Sequence, residues 1–401
     1  MAPYDGGPAF YDSIWSTSSY NPSPASIYEL KKELRLQQAS WVTPGPQVID
    51  SHDREEVKTD SWILQLSLND LQEIEDAVTH FQSKSYPRSQ VHRNTGLDLN
   101  RLQAEHFPLP TLGAKIKERS KLFHNEQPYF LVRGLKPQWF SKYKNVVVFL
   151  GIASHVSTKR AMANDDATVL HHVTNIEAPD GNEEKTYRGP ANRNIDIPFH
   201  TDYGDIVSLY TLSRPASGGD FHLADINDIV SKIEQSRPDL LQTLQEDFTM
   251  AHPGRPSGFE TRPLLFSTPS GGKVIQASRS RLCNGFRPRP AEIAELSPLQ
   301  IQAIDALHAA GQQVSRRIRF LSGDMLFFNN LRMMHARDGY VDGCEAENTT
   351  RRYLLRLIMR GDGWEEVPEP LRETWRELFE HNDAEEKVPV KEGLFSFKAS
   401  H

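Results

Sequence analysis

Hydrophobic positions recur along this chain in two rhythms, a helical one mostly upstream and a strand-like one mostly downstream. Trp62-Ile-Leu-Gln-Leu66 is the first globular signal, a short strand-like run. Ser67 stands three residues before Asp70, as in a capping box, and Leu68, Leu71, Ile74, Val78 and Phe81 follow at helical spacing. A second helical stretch is expected over about Thr111 to Phe123. Tyr129 to Val132 reads as a buried strand ended by Gly134, whereas the apolar run Val146 to Leu150 fits a helix or a strand equally well.

Strand signals dominate further on. Ile206 to Leu212 reads as a strand. Ile226, Ile229, Val230 and Ile233 mark a short helix, and Pro238 suits the first turn of another. Leu264 to Phe266 and Val274-Ile275 flank Pro269-Ser-Gly-Gly272 as a hairpin. Ser297-Pro298 caps and opens a helix carrying Ile301, Ile304 and Leu307. Strands resume at Ile318 to Leu321, Met325 to Phe328 and Tyr353 to Ile358, with a turn at Gly323-Asp324. Helices followed by many short strands predict an α+β chain, a sandwich or barrel with helices around it. We expect an N-terminal extension over 1–60, one domain over 61–365 and a C-terminal tail over 366–401. Within the extension only Ala25 to Gln38 looks helical.

With 401 residues, 38% of them hydrophobic and 25% charged, the chain has the composition of an ordinary globular protein with room for one large core. A net charge of −7 without a basic stripe argues against a nucleic-acid partner. No apolar run approaches the roughly 18 residues that cross a bilayer, and Met1 to Tyr20 lacks the order of a signal peptide. The two cysteines, Cys283 and Cys344, provide neither a disulfide framework nor a thiolate zinc cage. A cytoplasmic protein without membrane partners is expected.

The chemistry gathers around His200-Thr-Asp202. On a strand, residues two apart point the same way, so this imidazole and this carboxylate would face one metal. His335, in Phe327-Phe-Asn-Asn-Leu-Arg-Met-Met-His335-Ala-Arg337 at the end of an apolar strand, supplies a third ligand. Two histidines and a carboxylate are the set of a non-haem iron(II) oxygenase, although zinc, cobalt and manganese accept the same atoms. Alone, His-x-Asp is a weak signal, and His155, His171, His172, His222, His252 and His308 read as surface or satisfied core residues.

Its company makes it specific. Gly218-Gly-Asp220, Gly323-Asp-Met-Leu-Phe-Phe-Asn-Asn330, His335-Ala-Arg337 and Arg352-Tyr-Leu-Leu-Arg356 follow in order. Together with His200-Thr-Asp202, over roughly residues 61 to 360, they resemble the TauD/TfdA-like (taurine dioxygenase) family. Clavaminate synthase and gamma-butyrobetaine hydroxylase are similar relatives, and the closest likeness is to the fungal group associated with small-molecule metabolism. The resemblance implies a double-stranded β-helix, a cupin-like jelly roll. It implies Fe(II) on His200, Asp202 and His335, with 2-oxoglutarate and O2 consumed and succinate and CO2 formed. A small organic substrate, a carboxylic or amino acid among the candidates, would be hydroxylated, desaturated or cyclised. With Asp202 in place, halogenation is not expected.

In that family an arginine beyond the distal histidine grips the far carboxylate of 2-oxoglutarate, for which a planar fork is well shaped. Arg351 and Arg352 both stand there. Strand alternation puts Arg352, Leu354 and Arg356 on one face, and the family's Arg-x-x-x-Arg pattern matches Arg352 and Arg356. Arg352 is therefore expected on the cosubstrate, Arg337 as a separate structural charge, and Arg356 on the acidic end of the substrate unless an internal Asp or Glu pairs with it. Family members often carry threonine after Gly-Gly-Asp to help bind the cosubstrate. Phe221 stands there instead, followed by His222, which is expected to take over the contact. Tyr203, beside the metal, is a further expected substrate contact. A metal-dependent non-oxygenase enzyme on a β-barrel and a non-catalytic jelly-roll binding module are the competing readings. The first would not need Arg352, and intact His200, Asp202, His335 and Arg352 argue against the decayed site of the second.

Overall fold

A computed structural model describes residues 61–84, 99–123, 126–162, 167–176, 189–251, 258–283, 292–343, 351–361, 367–381 and 386–390. The larger of two facing sheets runs, in spatial order, β1 (Ile63–Gln65), β2 (Tyr129–Arg133), β13 (Met325–Asn329), β5 (Ile206–Ser213), β16 (Tyr353–Met359) and β3 (Leu170–Thr174). The smaller runs β12 (Arg316–Ile318), β7 (Phe221–Asp225), β14 (Met333–Arg337) and β4 (Ile197–His200). The pairings within them are antiparallel except β1 with β2. Successive strands cross from one sheet to the other, β4 to β5 and β13 to β14 among them, which is the jelly-roll path the family resemblance implies.

Register sorts the small sheet into two faces. His335 lies opposite both His200 and Leu223, and Arg337 lies opposite Phe221, so these side chains share the inner face. Phe199, Ala224, Met334 and Ala336 alternate with them and turn outward. There they meet α4 (Ile226–Ser236), α5 (Pro238–Leu244) and α7 (Pro298–Val314) in a second apolar core containing Ile229, Leu240 and Ile304. The inner faces of both sheets share the main core, where Phe221 meets Phe328 with ring centroids 6.0 Å apart.

Helix starts fall where the spacing placed them. In α1 (Leu68–Lys84) the Ser67 amide donates to Asp70 Oδ2 at 2.9 Å and the Asp70 amide to Ser67 Oγ at 3.2 Å. The Ser297 side chain accepts from the Gln300 amide ahead of α7, with Pro298 in the first turn. The expected stretch at 111–123 is α2 (Leu112–Lys121). The ambiguous run at 146–150 is α3 (Lys142–Ser154), and Asn145 through Ser154 are all buried. A helix apolar all round has no strand-like alternation to show because both its sides are covered. Its Asn145 Oδ1 accepts from Tyr210 of β5 at 2.8 Å. The hairpin expected at 264–275 is β10 (Leu265–Ser267) with β11 (Lys273–Ile275). Two further pairs join β8 (Phe248–Ala251) to β9 (Phe259–Arg262) and β6 (Ser217–Gly218) to β15 (Tyr340–Val341).

The expected boundary at 365 does not hold. Leu371, Trp375, Leu378 and Phe379, the last three on α8 (Arg372–Phe379), belong to the main core, and Lys387 bridges to Thr168. Their spacing puts them on one helical face, and that face needs the barrel wall to cover it. The helix expected over 25–38 and Cys344 lie outside the described residues. Among those described, no helix is long and apolar enough to cross a membrane.

Candidate active site

His200 closes β4 and His335 stands in the middle of β14, directly across the pairing, with ring centroids 4.1 Å apart. Two expectations change here. His335 is not at the end of the apolar run, because that run is β13 in the other sheet and the chain turns at 330–332 before β14 begins. Strand alternation does not aim Asp202 either, since β4 has ended. Asn330, at that turn, does. Its Oδ1 accepts from the Asp202 amide at 3.1 Å, and its Nδ2 donates to the carbonyls of Asp202 at 2.6 Å and Gly204 at 2.8 Å. Gly204 suits the turn because its φ of +111° is open to glycine, and a Cβ there would lie 2.3 Å from Ile358 Cγ2.

One ligand atom from each of His200, Asp202 and His335 falls within 4.8 Å of the others. His200 Nδ1 donates to the Pro198 carbonyl at 2.9 Å, which leaves the Nε2 lone pair for a metal. His335 turns Nε2 toward Asp202 Oδ2, 3.9 Å away. Burial holds both imidazoles below their ordinary pKa, His335 furthest, with the neighbouring His200 adding to it. Burial raises the Asp202 carboxyl, but Arg356, then His335 and His200, outweigh it and hold it at about 2. Two neutral imidazoles and one carboxylate, ionised without a proton to displace, are the donor set a divalent iron takes on one face. The residues fit that metal.

The two neighbouring arginines part as strand phase implied. Arg352 is 3% exposed and points into the barrel, whereas Arg351 is exposed and donates to the Asn175 carbonyl. Arg352 Nη1 is buried with no hydrogen-bond partner. Burial, followed by the charge of Arg337, lowers its pKa to about 9.

Other placements depart from expectation. His222 alternates with Phe221, so its ring faces the outer core, near Phe199 at 6.4 Å between centroids, with Nε2 3.0 Å from Asp338 Oδ1. It is turned away from His335 and the barrel interior. Phe221 faces inward and stacks on His335 at 5.5 Å. Arg356 donates through Nη1 to Asp202 Oδ2 at 2.9 Å, with Nη2 3.3 Å from His171 Nδ1. An internal carboxylate therefore supplies its counter-charge, and that carboxylate belongs to the cluster with His200 and His335. Tyr203 follows Asp202, but its hydroxyl donates to Glu260 Oε1 at 3.3 Å and accepts from Arg262 at 3.2 Å, with Arg281 over the ring at 4.9 Å.

The sequence profile described as "Taurine catabolism dioxygenase TauD, TfdA family" matches residues 93–358. The "Taurine hydroxylase-like protein SAT17" of Stachybotrys chartarum is 34% identical over 337 residues, 82% of this chain and 83% of that protein. This chain belongs to the TauD/TfdA dioxygenase family. The "FR-33289 synthase" of Streptomyces rubellomurinus is a more distant relative, 23% identical over 69% of this chain and 81% of its own. The fold is shared with an asparagine oxygenase solved with Fe(II), 3-hydroxyasparagine and succinate, at TM-score 0.54 and 16% identity over 75% of this chain and 93% of that one. It is shared too with the non-heme iron oxygenase OrfP, solved with Fe and alpha-ketoglutaric acid, at TM-score 0.53 and 14% identity over 82% and 99%. The non-haem Fe(II)- and 2-oxoglutarate-dependent enzyme class read from the sequence is borne out by the family.

In this TauD/TfdA dioxygenase the sequence offers Asn330 only as part of a motif and His171 only as a surface or core residue, and it does not single out Tyr340. Asn330 carried a visible signal, two adjacent asparagines after an apolar strand, a pattern that favours a turn. His171 carried none, because its partner Arg356 stands 185 residues away, and Tyr340 carried none, because its place beside Gly218 and the two arginines is set by the β6–β15 pairing.

Proposed function

We propose that His200, Asp202 and His335 hold Fe(II) in this dioxygenase and that Arg352 grips the far carboxylate of 2-oxoglutarate. The substrate is a small organic molecule in which one C–H bond is hydroxylated, as part of small-molecule metabolism. The observation that carries the reading is a convergence. Three ligand atoms within 4.8 Å of one another share the interior of one barrel with a buried guanidinium whose Nη1 has no partner. Bound iron supplies the redox chemistry that couples 2-oxoglutarate, O2 and R–H to succinate, CO2 and R–OH.

The chain's own residues do the rest. Pro198 and Asn330 fix the orientation of two ligands. Phe221 and Phe328, at 5.5 and 5.1 Å from the His335 ring, keep water off that side. Arg356 steadies the carboxylate ligand. Since Asp202 already balances its charge, an anionic substrate is not required. The like-folded oxygenases solved with 3-hydroxyasparagine and (3S)-hydroxy-L-Arg direct the search to amino acids and their derivatives.

The test is succinate release from 2-oxoglutarate with Fe(II) and ascorbate, screened over amino acids, short peptides and small acids for stimulation. His200→Ala, Asp202→Ala and His335→Ala should each abolish release while circular dichroism stays unchanged. Arg352→Ala should weaken 2-oxoglutarate some thirtyfold to a few thousandfold, the range of about 2–5 kcal/mol for truncating one partner of a buried charge pair. Arg351→Ala should not. Full turnover by any ligand variant overturns the metal assignment, and equal loss in the two arginine variants overturns that of Arg352.

A further inference from the structure

Arg352 is not the only buried cation at its end of the barrel. Arg337 shares the inner face of β14 with His335, two residues on and so about 7 Å away between Cα atoms. Both guanidinium groups lie over the ring of Tyr340, with their carbons 5.0 Å (Arg337) and 5.1 Å (Arg352) from its centroid. Arg337, Tyr340 and Arg352 are all within a few per cent of full burial. The Gly-Gly turn makes room for them. A Cβ on Gly219 would stand 3.2 Å from Tyr340 Cβ and 3.3 Å from Arg352 Cδ and Nε.

The polar atoms of this cluster are under-satisfied. Arg337 Nη2 donates to the carbonyls of Arg193 and Ile195, but its Nε and Nη1 have no partner, nor does Arg352 Nη1. The Tyr340 hydroxyl is near enough to favour the charge of Arg352, yet it makes no hydrogen bond of good geometry. Asp196, Asp338 and Asp342 lie near enough to favour the charge of Arg337, and Asp342 that of Arg352, but among the described residues none is ion-paired with either guanidinium. Asp196 accepts from the Gly339 amide at 2.8 Å, Asp342 from the Arg352 amide at 2.6 Å, and Asp338 lies against His222. Buried polar groups are normally paired, so two neighbouring guanidinium groups with unfilled N–H donors and no carboxylate bonded to either among the described residues favour the entry of an anion.

We propose that Arg337 and Tyr340 complete the cosubstrate grip, the second guanidinium and the phenol hydroxyl binding the same far carboxylate as Arg352. Tyr340 thereby takes the part of the hydroxyl that Phe221 cannot provide. Phe221 lies directly opposite Arg337 in the β7–β14 pairing, so an apolar wall occupies the position from which a family threonine would reach. This deepens the reading that Arg352 holds 2-oxoglutarate and rests on it. Its consequence is selectivity: the cluster recognises the second carboxylate of the oxo acid, not the keto-acid end that chelates metal.

The test is anaerobic calorimetry on the full chain loaded with Mn(II), titrated with 2-oxoglutarate and with 2-oxobutyrate, which lacks the far carboxylate. Tyr340→Phe keeps the ring beneath both arginines and removes only the hydroxyl. It should weaken 2-oxoglutarate roughly tenfold or more, the loss expected for a hydrogen bond to a charged group. Arg337→Gln should weaken it further, and neither change should move 2-oxobutyrate. Variants that bind 2-oxoglutarate like wild type overturn the proposal. So does an equal loss for both ligands, which is what a purely structural role would give. Should Arg337→Gln fail to fold, Tyr340→Phe decides alone. Arg352→Gln separates the two readings. If it alone loses the preference for 2-oxoglutarate, Arg352 stands and the extended grip falls. If wild type has no preference, both fall.

Discussion

At Asp202 one carboxylate oxygen is wanted twice, by the metal we propose and by Arg356, whose Nη1 sits 2.9 Å from Oδ2. Replacing Arg356 with leucine leaves Asp202 without its strongest counter-charge. In chelator-stripped protein this should cost about 3 kcal/mol, the lower end for breaking a buried pair because Asp202 keeps some solvent contact. Removing a cation beside a cation site also favours metal entry. Arg356→Leu should therefore melt below wild type when stripped, yet gain more from Mn(II) in a thermal-shift titration. A smaller Mn(II) gain than wild type would contradict this account. Asp205, three residues on, makes a separate prediction. Burial raises its carboxyl to about 6, although Trp375 Nε1 and the Gly361 amide donate to it and pull the other way. A raised carboxyl stabilises the fold fully below its unfolded pKa of about 4 and loses that contribution as pH rises through 6. Two units correspond to about 3 kcal/mol. From pH 4 to 7, denaturant titrations should find Asp205→Asn gaining about that much relative to wild type. Parallel stability curves would rule it out.

At the scale of elements, the site is set by a corner rather than by a strand. The turn between β13 and β14 carries the chain from the large sheet to the small one, and Asn330 in that turn ties down the loop after β4. Side-chain bonds to a backbone segment 128 residues away make the loop and the turn one unit. Asn330→Ala removes them without touching a ligand. Partners of this kind typically contribute ten- to a hundredfold to metal affinity. We expect Mn(II) binding to weaken by that factor, with His200 and His335 still opposed across β4 and β14. An unchanged Mn(II) dissociation constant would return the placement of Asp202 to the loop itself.

Across the whole molecule, two apolar cores hold the small sheet between them, and the C-terminal segment seals the larger one. Trp375 is 1% exposed and donates to Asp205, which also holds the Asn330 amide through its carbonyl. The terminal helix thus reaches the metal loop through two hydrogen-bonded residues. A chain ended at residue 365 should lose more than the roughly 3–5 kcal/mol expected for Trp375→Ala, a large part of a domain's usual 5–15. Thermal unfolding read by circular dichroism checks this, and a truncated chain melting at the wild-type temperature would put the segment back outside the domain.

Local spacing was enough for whatever depends on neighbours in sequence. The Ser67 and Ser297 caps, the β10–β11 hairpin and the apolar strands at 325–329 and 353–359 were legible because capping and alternation act over a few residues. So was the grouping of His200, Asp202 and His335, since two of them are two residues apart and the third is announced by its motif. The tertiary structure decided what depends on register and on who covers whom. Alternation separated Phe221 from His222, but only the pairing of β7 with β14 determined which one faces His335. The run at 146–150 became a helix because both its sides are buried. Arg356 found Asp202 across 154 residues because two sheets closed around a common core, and Arg337 and Arg352, near each other in sequence, met over the Tyr340 ring because the chain folds back between β14 and β16.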